Sequence, residues 1–360
     1  MKQFLFSFRI IKRSPMLAWV GVPGLAVGLA AVLLLISYLS HELSYDRHFT
    51  TKDRVVRISN RLIENNQTSY EAISLQSTLG KVLENVPGVE AGTRIYRGWN
   101  VDVLHEQQKF KGMELLYADT GFFRVFDQQL LFGDQQSALA GKGKVVLSQS
   151  AAMKIFGTTD CIGEIVQIYY QNGTVSGIIP DMPTNTHFSF DVLASIETIE
   201  PERFPGLEFY TYFLLNEDAD FQSAILGIKN QNDEAMIPWC EGTQIEAHTE
   251  AEFLADIHLF TKTNNDLSAS ANHTYIYTVA AIALLILLIA IINYMNLYVL
   301  HGEKRIREIA TRKSFGADKR WLIRLFYSDA MVMGGAALLL ALFIVSLIHP
   351  YFAQLMGVPM

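Results

Sequence analysis

Few side chains in this 360-residue chain have a spacing that could support chemistry. His187 lies four residues before Asp191, and His258 lies two residues after Asp256. A histidine beside a carboxylate can act as a general base, but such pairs occur more often in capped loops than in active sites. The sequence contains no phosphate-binding loop, no nucleophile elbow and no HExxH zinc motif. We therefore expect no catalytic residue, no metal site and no cofactor, and a protein that is not an enzyme.

The two cysteines, Cys161 and Cys240, are 79 residues apart. In an oxidising compartment they could form a disulfide, and their spacing is equally consistent with two buried thiols. The sequence leaves both alternatives open.

The densest group of charges lies in the segment 303–317. It contains acidic and basic residues four positions apart, a spacing that stabilises an exposed helix. Gly316 suits the end of that helix, and Asp318 suits the start of another. We predict two short helices with a sharp corner at Gly316 and Ala317, each continuous with an apolar helix; the alternative is a solvated basic loop. The acid–base pairs are Glu303 with Arg307 and Glu308 with Arg312.

Three stretches without charged residues, 16–39, 274–300 and 330–348, are about as long as the 20 residues that a helix needs to cross a bilayer. We predict a transmembrane helix in each. The first is interpreted as an uncleaved anchor, because its apolar part is too long for a signal peptide. Gly24 and Gly28 in this stretch have the spacing of a close helix contact, or are ordinary membrane glycines.

Charge predicts the orientation of these helices. Residues 1–15 carry four basic and no acidic side chains, and residues 302–328 carry eight basic and three acidic ones. Basic segments favour the cytoplasm, so we predict a cytoplasmic amphipathic segment at 1–15 and a cytoplasmic loop at 301–329. Segment 40–273 has 32 acidic and 17 basic residues, a net charge of −15. It is predicted to lie outside, as is a tail at 349–360, and this acidic domain argues against nucleic-acid binding.

The external segment has the pattern of a mixed α+β domain inserted between the first two spans. A hairpin of strands 165–170 and 174–179 is predicted around Asn172 and Gly173, because Asn-Gly favours a tight turn. Ser148 suits the N-cap of a helix that Gly157 ends. The other predicted strands are 55–63, 90–97, 101–105, 144–147 and 210–215, and the other predicted helices are 75–86, 121–126 and 221–229.

The basic segment and the external domain together resemble the FtsX-like permeases, the membrane subunits of MacB-type ABC transporters. Segment 303–317 is similar to the family's cytoplasmic coupling helix. The external domain is similar to the family's periplasmic core domain in the order and spacing of six short motifs. These motifs are residues 117–126, 145–152, 162–166, 175–183, 185–191 and 256–259.

The resemblance implies a permease subunit that couples ATP hydrolysis by a separate ATPase to movements of its periplasmic domain, for export or efflux. It implies a multi-pass protein of the bacterial inner membrane, with a cytoplasmic N-terminus and contact with membrane lipid. The implied partners are an ABC-type ATPase in trans, a second permease half in a homodimer or heterodimer, and a periplasmic or outer-membrane protein. The residues implied to contact the ATPase are Arg305, Arg307, Glu308, Arg312, Lys313, Gly316 and Ala317.

Two points differ from the family pattern. MacB itself carries its ATPase on the same polypeptide, ahead of the first span, whereas this sequence has no such domain, so we expect the ATPase in trans. A family permease unit has four spans, whereas this sequence predicts three, so we expect a truncated unit or the first half of a longer permease.

The sequence does not indicate the substrate. A non-transporting regulator of a periplasmic enzyme, similar to FtsX itself, is the alternative function, and a sensor is a third class that would need a cytoplasmic output domain.

Overall fold

The computed structural model describes residues 17–268, 271–314 and 319–356, and between 300 and 329 it describes the backbone but only some side chains. The predicted amphipathic segment 1–15 therefore lies outside the described residues. The chain divides into two compact units. One contains Met1–Leu43 and His273–Met360, and the other is Ser44–Asn272.

The described residues form eight α-helices, eleven strands and two short 3-10 helices, Ile196–Ile199 and Pro201–Arg203. A π-helical turn, Leu17–Gly21, precedes the first helix. The helices are α1 (Val22–Leu43), α2 (Thr78–Asn85), α3 (Phe122–Val125), α4 (Gln149–Phe156), α5 (Phe221–Cys240), α6 (Leu254–Phe260), α7 (His273–Ser314) and α8 (Lys319–Leu355). The strands are β1 (Val55–Glu64), β2 (Gln67–Glu71), β3 (Val89–His105), β4 (Gln108–Ala118), β5 (Phe132–Gly133), β6 (Lys144–Ser148), β7 (Ile165–Ile168), β8 (Gln171–Ile179), β9 (Val192–Ser195), β10 (Tyr210–Leu215) and β11 (Ile245–Phe253).

The first unit contains α1, α7 and α8, which are long and apolar enough to cross a membrane. Their apolar parts are Trp19–Leu43, His273–Val299 and Ala330–Leu355. Helix α8 continues through Pro350 to Leu355. The helix therefore extends beyond residue 348, where the sequence predicts that the span ends and a tail begins. Three apolar helices that flank a large mixed domain confirm the predicted fold class.

Helix α1 packs against both α7 and α8 through small side chains. Ala26 and Ala30 are buried against Ala337 and Ala341 of α8. On α7, a Cβ atom added to Gly28 would lie 2.5 Å from the Cβ of Ala290. The predicted small-residue contact is therefore found, because the two backbones approach each other too closely for any side chain at Gly28.

The Ser44–Asn272 unit is built on one eleven-stranded sheet in its described part. The strand order is β11-β1-β10-β3-β4-β9-β6-β8-β5, while β2 pairs with β1, and β7 pairs with β3 and β8. The pairs β4–β9 and β6–β8 are parallel, and the other described pairs are antiparallel. The order is not sequential, so residues far apart in the chain meet on neighbouring strands.

Strand β10 shows why a continuous apolar segment becomes a central strand. Successive side chains of a strand point to opposite faces of the sheet. Phe213 and Leu215 pack against α2 and α5 on one face, and Tyr212 and Leu214 pack on the other face with the aromatic residues of α3. Both faces are covered, so all six residues of β10 are buried. A third apolar cluster, between α4 and strands β3 to β9, completes the core.

Several sequence predictions are confirmed with small changes in length. Strands β1, β6 and β10 form as predicted. In α4, the backbone N–H of Ala151 donates to the Ser148 hydroxyl at 3.2 Å, and Gly157 has a left-handed φ of 71°. Helix α2 is shorter than predicted, and α5 is eleven residues longer. The two strands predicted at 90–97 and 101–105 are one strand, β3, with an irregularity between Arg97 and Asn100.

The predicted Asn-Gly turn is wrong. Strands β7 and β8 form the hairpin, but the turn residues are Tyr169 and Tyr170, with φ of 48° and 67°. Gly173 lies inside β8, where an added Cβ would come within 2.5 Å of a Val145 methyl group. Gly173 is therefore needed for the close packing of β8 against β6, and it is not a turn residue. The Tyr169 hydroxyl, which donates to the carbonyl of Gly98 at 2.6 Å, holds the turn in its unusual conformation.

The packing of α1 gives a direct test. Gly28→Ala should lower the unfolding midpoint of the detergent-solubilised protein, at a cost of about 1–3 kcal/mol, because the new methyl group overlaps Ala290. Gly335→Ala on α8, where an added Cβ meets no atom within 4 Å, is the matched control. Adding Ala290→Gly to Gly28→Ala should restore the midpoint, and failure of this rescue would contradict the described contact.

Candidate functional site

The structure places five of the seven predicted coupling residues at the end of α7. These five have helical backbone there, and their side chains lie outside the described part of the structure. The corner at Gly316 and Ala317 also lies outside the described residues and stays a prediction, as does the N-cap role of Asp318. The five residues on α7 are Arg305, Arg307, Glu308, Arg312 and Lys313.

Helix α7 joins an apolar span and the basic segment without an interruption. It contains 42 residues, which at 1.5 Å per residue gives a length of about 63 Å. The apolar part ends at Val299, so the remaining residues extend the helix by about 22 Å. At its end the Ser314 hydroxyl donates to the carbonyl of Ala310 at 3.0 Å. The span and the first part of the basic segment therefore form one helix.

A second group of functional interest is buried in the Ser44–Asn272 unit. We call it the buried polar network; its members are Asp46, Arg57, His187, Tyr212, Glu252 and Asp266. At one end, His187 Nδ1 lies 3.0 Å from Asp46 Oδ1, and His187 Nε2 lies 2.9 Å from the Tyr212 hydroxyl. Asp46 Oδ1 also accepts from the His187 backbone N–H and the Thr186 hydroxyl. The loop before β9 is thereby fixed to the residues that follow α1.

Arg57 forms the other end of the network. Its side chain is completely buried, and it donates to Asp266 Oδ1 at 2.7 Å and to Glu252 Oε2 at 2.9 Å. In the sheet, Arg57 on β1 lies directly between Tyr212 on β10 and Glu252 on β11. Thr263 donates to the second oxygen of Asp266 at 2.7 Å. A buried guanidinium is tolerated only with such compensation, so Arg57 holds the linker before α7 on the sheet.

The pKa shifts of the network agree with charged carboxylates and a neutral phenol. Burial opposes ionisation of Asp46 and Asp266, but His187 at Asp46, and Arg57 at Asp266, lower the pKa of each carboxyl below its ordinary 3.8. Burial raises the pKa of Tyr212 well above its ordinary value. Tyr212 therefore keeps its proton.

The Asp46, His187 and Tyr212 side chains are aligned like a proton relay, but a substrate cannot reach them. Their exposed fractions are 1%, 1% and 0%. Asp191, the carboxylate that the sequence pairs with His187, instead accepts a hydrogen bond from the backbone N–H of Glu114 at 3.0 Å. The geometry supports a role in holding chain segments together.

The remaining candidate groups are also located. The His258 ring stacks on Tyr45 with 3.5 Å between ring centroids. Cys161 is buried, Cys240 is half-buried, and both are free thiols, so the disulfide alternative is not adopted. Among the described residues, no three His, Cys, Asp or Glu side chains converge in an arrangement that could hold a metal ion.

The buried polar network was missed by sequence reasoning. Asp46 and His187 are 141 residues apart, and Arg57 is separated from Glu252 by 195 residues and from Asp266 by 209. The one local signal is Arg57 itself, a charged residue inside an otherwise apolar strand start, Val55 to Ile58. Such a residue needs a buried counterion, but the neighbouring sequence does not show which acidic residue supplies it.

Family comparisons agree with this organisation. The family model of the MacB-like periplasmic core domain matches residues 22–231, and the model of the FtsX-like permease C-terminal region matches residues 280–360. The first match covers more than half of the chain, so the chain belongs to the family of permeases with a MacB-like periplasmic core domain, an ABC-type permease family. The second match includes the basic segment. Membership implies an ATPase partner and dimerisation in general terms.

One solved structure is similar in fold to the external domain, and two others match with TM-scores below 0.5. A domain of a protein described as a permease, from Porphyromonas gingivalis, matches with a TM-score of 0.50 and 18% identity over 62% of this chain and 94% of that chain. The periplasmic region of MacB from Actinobacillus actinomycetemcomitans has a TM-score of 0.42 and 15% identity, over 57% and 90% of the two chains. The extracellular domain of the noncanonic ABC-type transporter YknZ from Gram-positive bacteria has a TM-score of 0.40 and 14% identity, over 54% and 99%. No curated protein sequence matches the chain.

The central ion pairs can be tested by removing Arg57. Arg57→Met leaves Asp266 and Glu252 without their counterion, so the free energy of unfolding in urea should fall by about 3–5 kcal/mol. Arg124→Met is the matched control, because Arg124 is 64% exposed and also pairs with a carboxylate, Glu90. The control should lose at most about 1 kcal/mol. Equal losses in the two variants would contradict the assigned role of Arg57.

The lowered pKa of Asp46 predicts a specific acid sensitivity. Its folded pKa lies below the ordinary 3.8, so the ionised carboxylate stabilises the fold above that pH, and the contribution is lost as the pH falls through the folded pKa. Asp46→Asn should therefore be less stable than the parent at neutral pH, and the two stability curves should converge in acid. Asp53→Asn, at a side chain that is 73% exposed, should stay parallel to the parent. Urea unfolding between pH 7 and pH 2.5 measures both.

Proposed function

We propose that this chain is the permease subunit of a MacB/FtsX-type ABC transporter, and that it couples ATP hydrolysis by a separate ATPase to movement of its external domain for export or efflux. The observation that carries this proposal is the unbroken α7, from His273 to Ser314. Hydrogen bonding along one helix makes it stiff. A displacement of the basic segment is therefore passed to the other end of the same helix.

The external domain holds the linker before α7 at Asn265 to Leu267. Asp266, seven residues before the helix, is held by buried Arg57. The next residue, Leu267, accepts a hydrogen bond from Arg97 through its carbonyl, and Asn265 donates to Glu71 at 2.9 Å. The linker is therefore attached to three strands of the sheet. This supports a mechanism in which the external domain responds to α7 rather than absorbing its motion in a loose loop.

The segment that leaves α1 has a similar attachment. The backbone N–H of Asp46 donates to the carbonyl of Asn185 at 2.9 Å, and the Asn185 side chain donates to the carbonyl of Ser44 at 3.0 Å. Both connections between the external domain and the apolar helices thus end in the buried polar network or beside it. Two fixed connections allow a change in the helices to alter the position of the whole domain.

Charge supports the orientation that this mechanism needs. Basic residues concentrate before α1 and in the segment after the apolar part of α7, and the acidic Ser44–Asn272 unit separates them in sequence. In the proposed topology the basic segments lie in the cytoplasm of a bacterium, the three apolar helices cross the inner membrane, and the acidic domain is periplasmic. The coupling residues then face the compartment that contains ATP.

The proposal assigns nucleotide hydrolysis to the partner and no chemical step to this chain. The ATPase acts in trans and contacts the seven coupling residues, and a second permease half completes the dimer. ATP-driven closure of the ATPase pair moves the two basic segments, and through α7 it changes how the two external domains pack. Work on the substrate is then done in the periplasm, with or without a further periplasmic or outer-membrane partner.

The proposal predicts which changes separate hydrolysis from function. The double variant Glu308→Lys with Arg312→Glu keeps the net charge and the four-residue spacing, so α7 and membrane insertion should be retained while the surface offered to the ATPase is reversed. When the full-length protein is purified from native membranes in mild detergent, we expect the ATPase to co-purify with the parent and not with this double variant. We expect the same loss of the ATPase for Gly316→Val. The swap Asp102→Lys with Lys109→Asp, at an exposed ion pair of the external domain, is the matched control.

Mass spectrometry of the co-purified proteins reads the outcome. The proposal is supported if an ABC-type ATPase co-purifies with the parent and with the control, and is lost from both coupling variants. Full ATPase recovery with both variants would contradict the assigned coupling residues. Recovery of a periplasmic enzyme with no ATPase at any detergent strength would replace the proposal by the regulator alternative.

A further inference from the structure

A cavity of about 430 Å³ opens on the Ser44–Asn272 unit, outside the buried polar network. Its volume lies within the range of small-molecule sites, roughly 300–1,000 Å³. The apolar lining includes Leu116, Phe188 and Leu267, which are at most 6% exposed. Arg97, Trp99 and Glu114 form its polar and aromatic edge. An apolar floor with a few polar groups is the usual composition of a ligand site.

Trp99 is held at this cavity in an unfavourable backbone conformation. Its φ is 59°, and 70% of its side chain is exposed. Left-handed backbone costs a residue with a bulky side chain about 1–3 kcal/mol. The preceding Gly98 is tightly packed, since an added Cβ would lie 2.7 Å from Leu115, and its carbonyl accepts a hydrogen bond from Tyr169. The backbone before Trp99 is therefore held in place, and most of the indole ring stays exposed at the cavity.

The edge of the cavity carries one charge of each sign. The Arg97 guanidinium lies 5.8 Å from the Trp99 ring centroid and donates to the carbonyl of Leu267, and it forms no ion pair within the described residues. Glu114 is exposed, accepts from the Ser189 hydroxyl at 2.5 Å, and likewise forms no ion pair there. Each charge therefore lacks a countercharge among the described residues of the domain.

The sheet register sets the separation of these two charges. Arg97 lies opposite Leu116, and Glu114 is two residues earlier on the same strand, β4. Two residues along a strand correspond to roughly 7 Å. Glu114 would repel a purely anionic ligand, and Arg97 would repel a purely cationic one. A ligand with both charges satisfies both side chains, and its apolar part covers Trp99 and the floor.

We propose that this cavity binds a zwitterionic small ligand that carries an apolar group. Its anionic group lies at Arg97, its ammonium group at Glu114 and its apolar group against Trp99. Two sources share this chemistry, a short peptide with free termini and the headgroup region of a zwitterionic phospholipid. The site does not depend on the ATPase partner. Because Arg97 also holds the carbonyl of Leu267, the ligand binds beside the linker that precedes α7.

Calorimetric titration of the full-length chain in amphipol tests the site. The probes are the dipeptide Leu-Leu and dihexanoylphosphatidylethanolamine, and the matched control is N-acetyl-Leu-Leu-amide, which keeps the apolar part and removes both charges. We expect at least one zwitterion to bind at least tenfold more tightly than the blocked dipeptide. Binding of Leu-Leu alone identifies a peptide source, and binding of the lipid alone identifies a lipid source. Equal affinity for the blocked dipeptide, or no binding of either zwitterion, overturns the proposal.

Three variants locate the bound groups. Glu114→Gln and Arg97→Gln should each weaken zwitterion binding at least tenfold. Trp99→Gly should also weaken it, while the thermal unfolding midpoint stays unchanged or rises, because glycine adopts the left-handed conformation without strain. Tyr170→Ala, at a side chain that is 95% exposed and does not line the cavity, should bind like the parent. Unchanged binding in the Glu114 and Arg97 variants would overturn the proposal even if the ligand binds.

Discussion

The buried guanidinium of Arg57 is the constraint on which the external domain depends. Moving such a charge out of water costs several kcal/mol unless carboxylates and hydrogen bonds surround it. Its two carboxylates come from strand β11 and from the linker before α7, and Tyr212 of β10 lies on its other side. All three segments must be in place before the charge is compensated. The edge of the sheet at β11 and the linker therefore depend on the same buried charge.

This constraint fixes on the sheet a segment of the chain that precedes the apolar helix α7. Within the described residues of the external domain, the linker is held through Asp266. The segment after α1 is held through Asp46, which accepts three hydrogen bonds from Thr186 and His187. The proposed mechanism needs such anchors, because a stiff helix transmits a displacement only when the chain at its end resists it. Loops of comparable length without such anchors are usually mobile. The polar interior of the domain and its proposed mechanical role thus have the same physical origin.

The sequence predicts the parts of this structure that depend on neighbouring residues. Apolar runs define the spans, Ser148 and Gly157 define α4, and alternating residues define β1. The sequence does not predict the elements whose formation depends on residues far away in the chain. The sequence predicts neither β4 nor β11, because charged residues obscure the alternation of these strands. They form because β3 and β1 pair with them. The buried polar network has no local signal beyond Arg57. For five of the seven coupling residues the structure gives a helical backbone, and their contact with an ATPase stays a prediction from the sequence.

The misplaced hairpin turn and the proposed ligand cavity have one feature in common. Left-handed positions usually belong to Gly or Asn, yet here Trp99, Tyr169 and Tyr170 occupy them. Local rules are broken most often where function requires it, and the Tyr169 hydroxyl links the turn to Gly98, the residue before Trp99. The strained Trp99 is next to Arg97 on the cavity edge, and Arg97 holds Leu267, the neighbour of Asp266. Two adjacent linker residues, Asp266 and Leu267, thus connect the buried polar network and the cavity edge. In the proposed mechanism, a ligand in the cavity and a displacement of α7 would both act on this short stretch of chain.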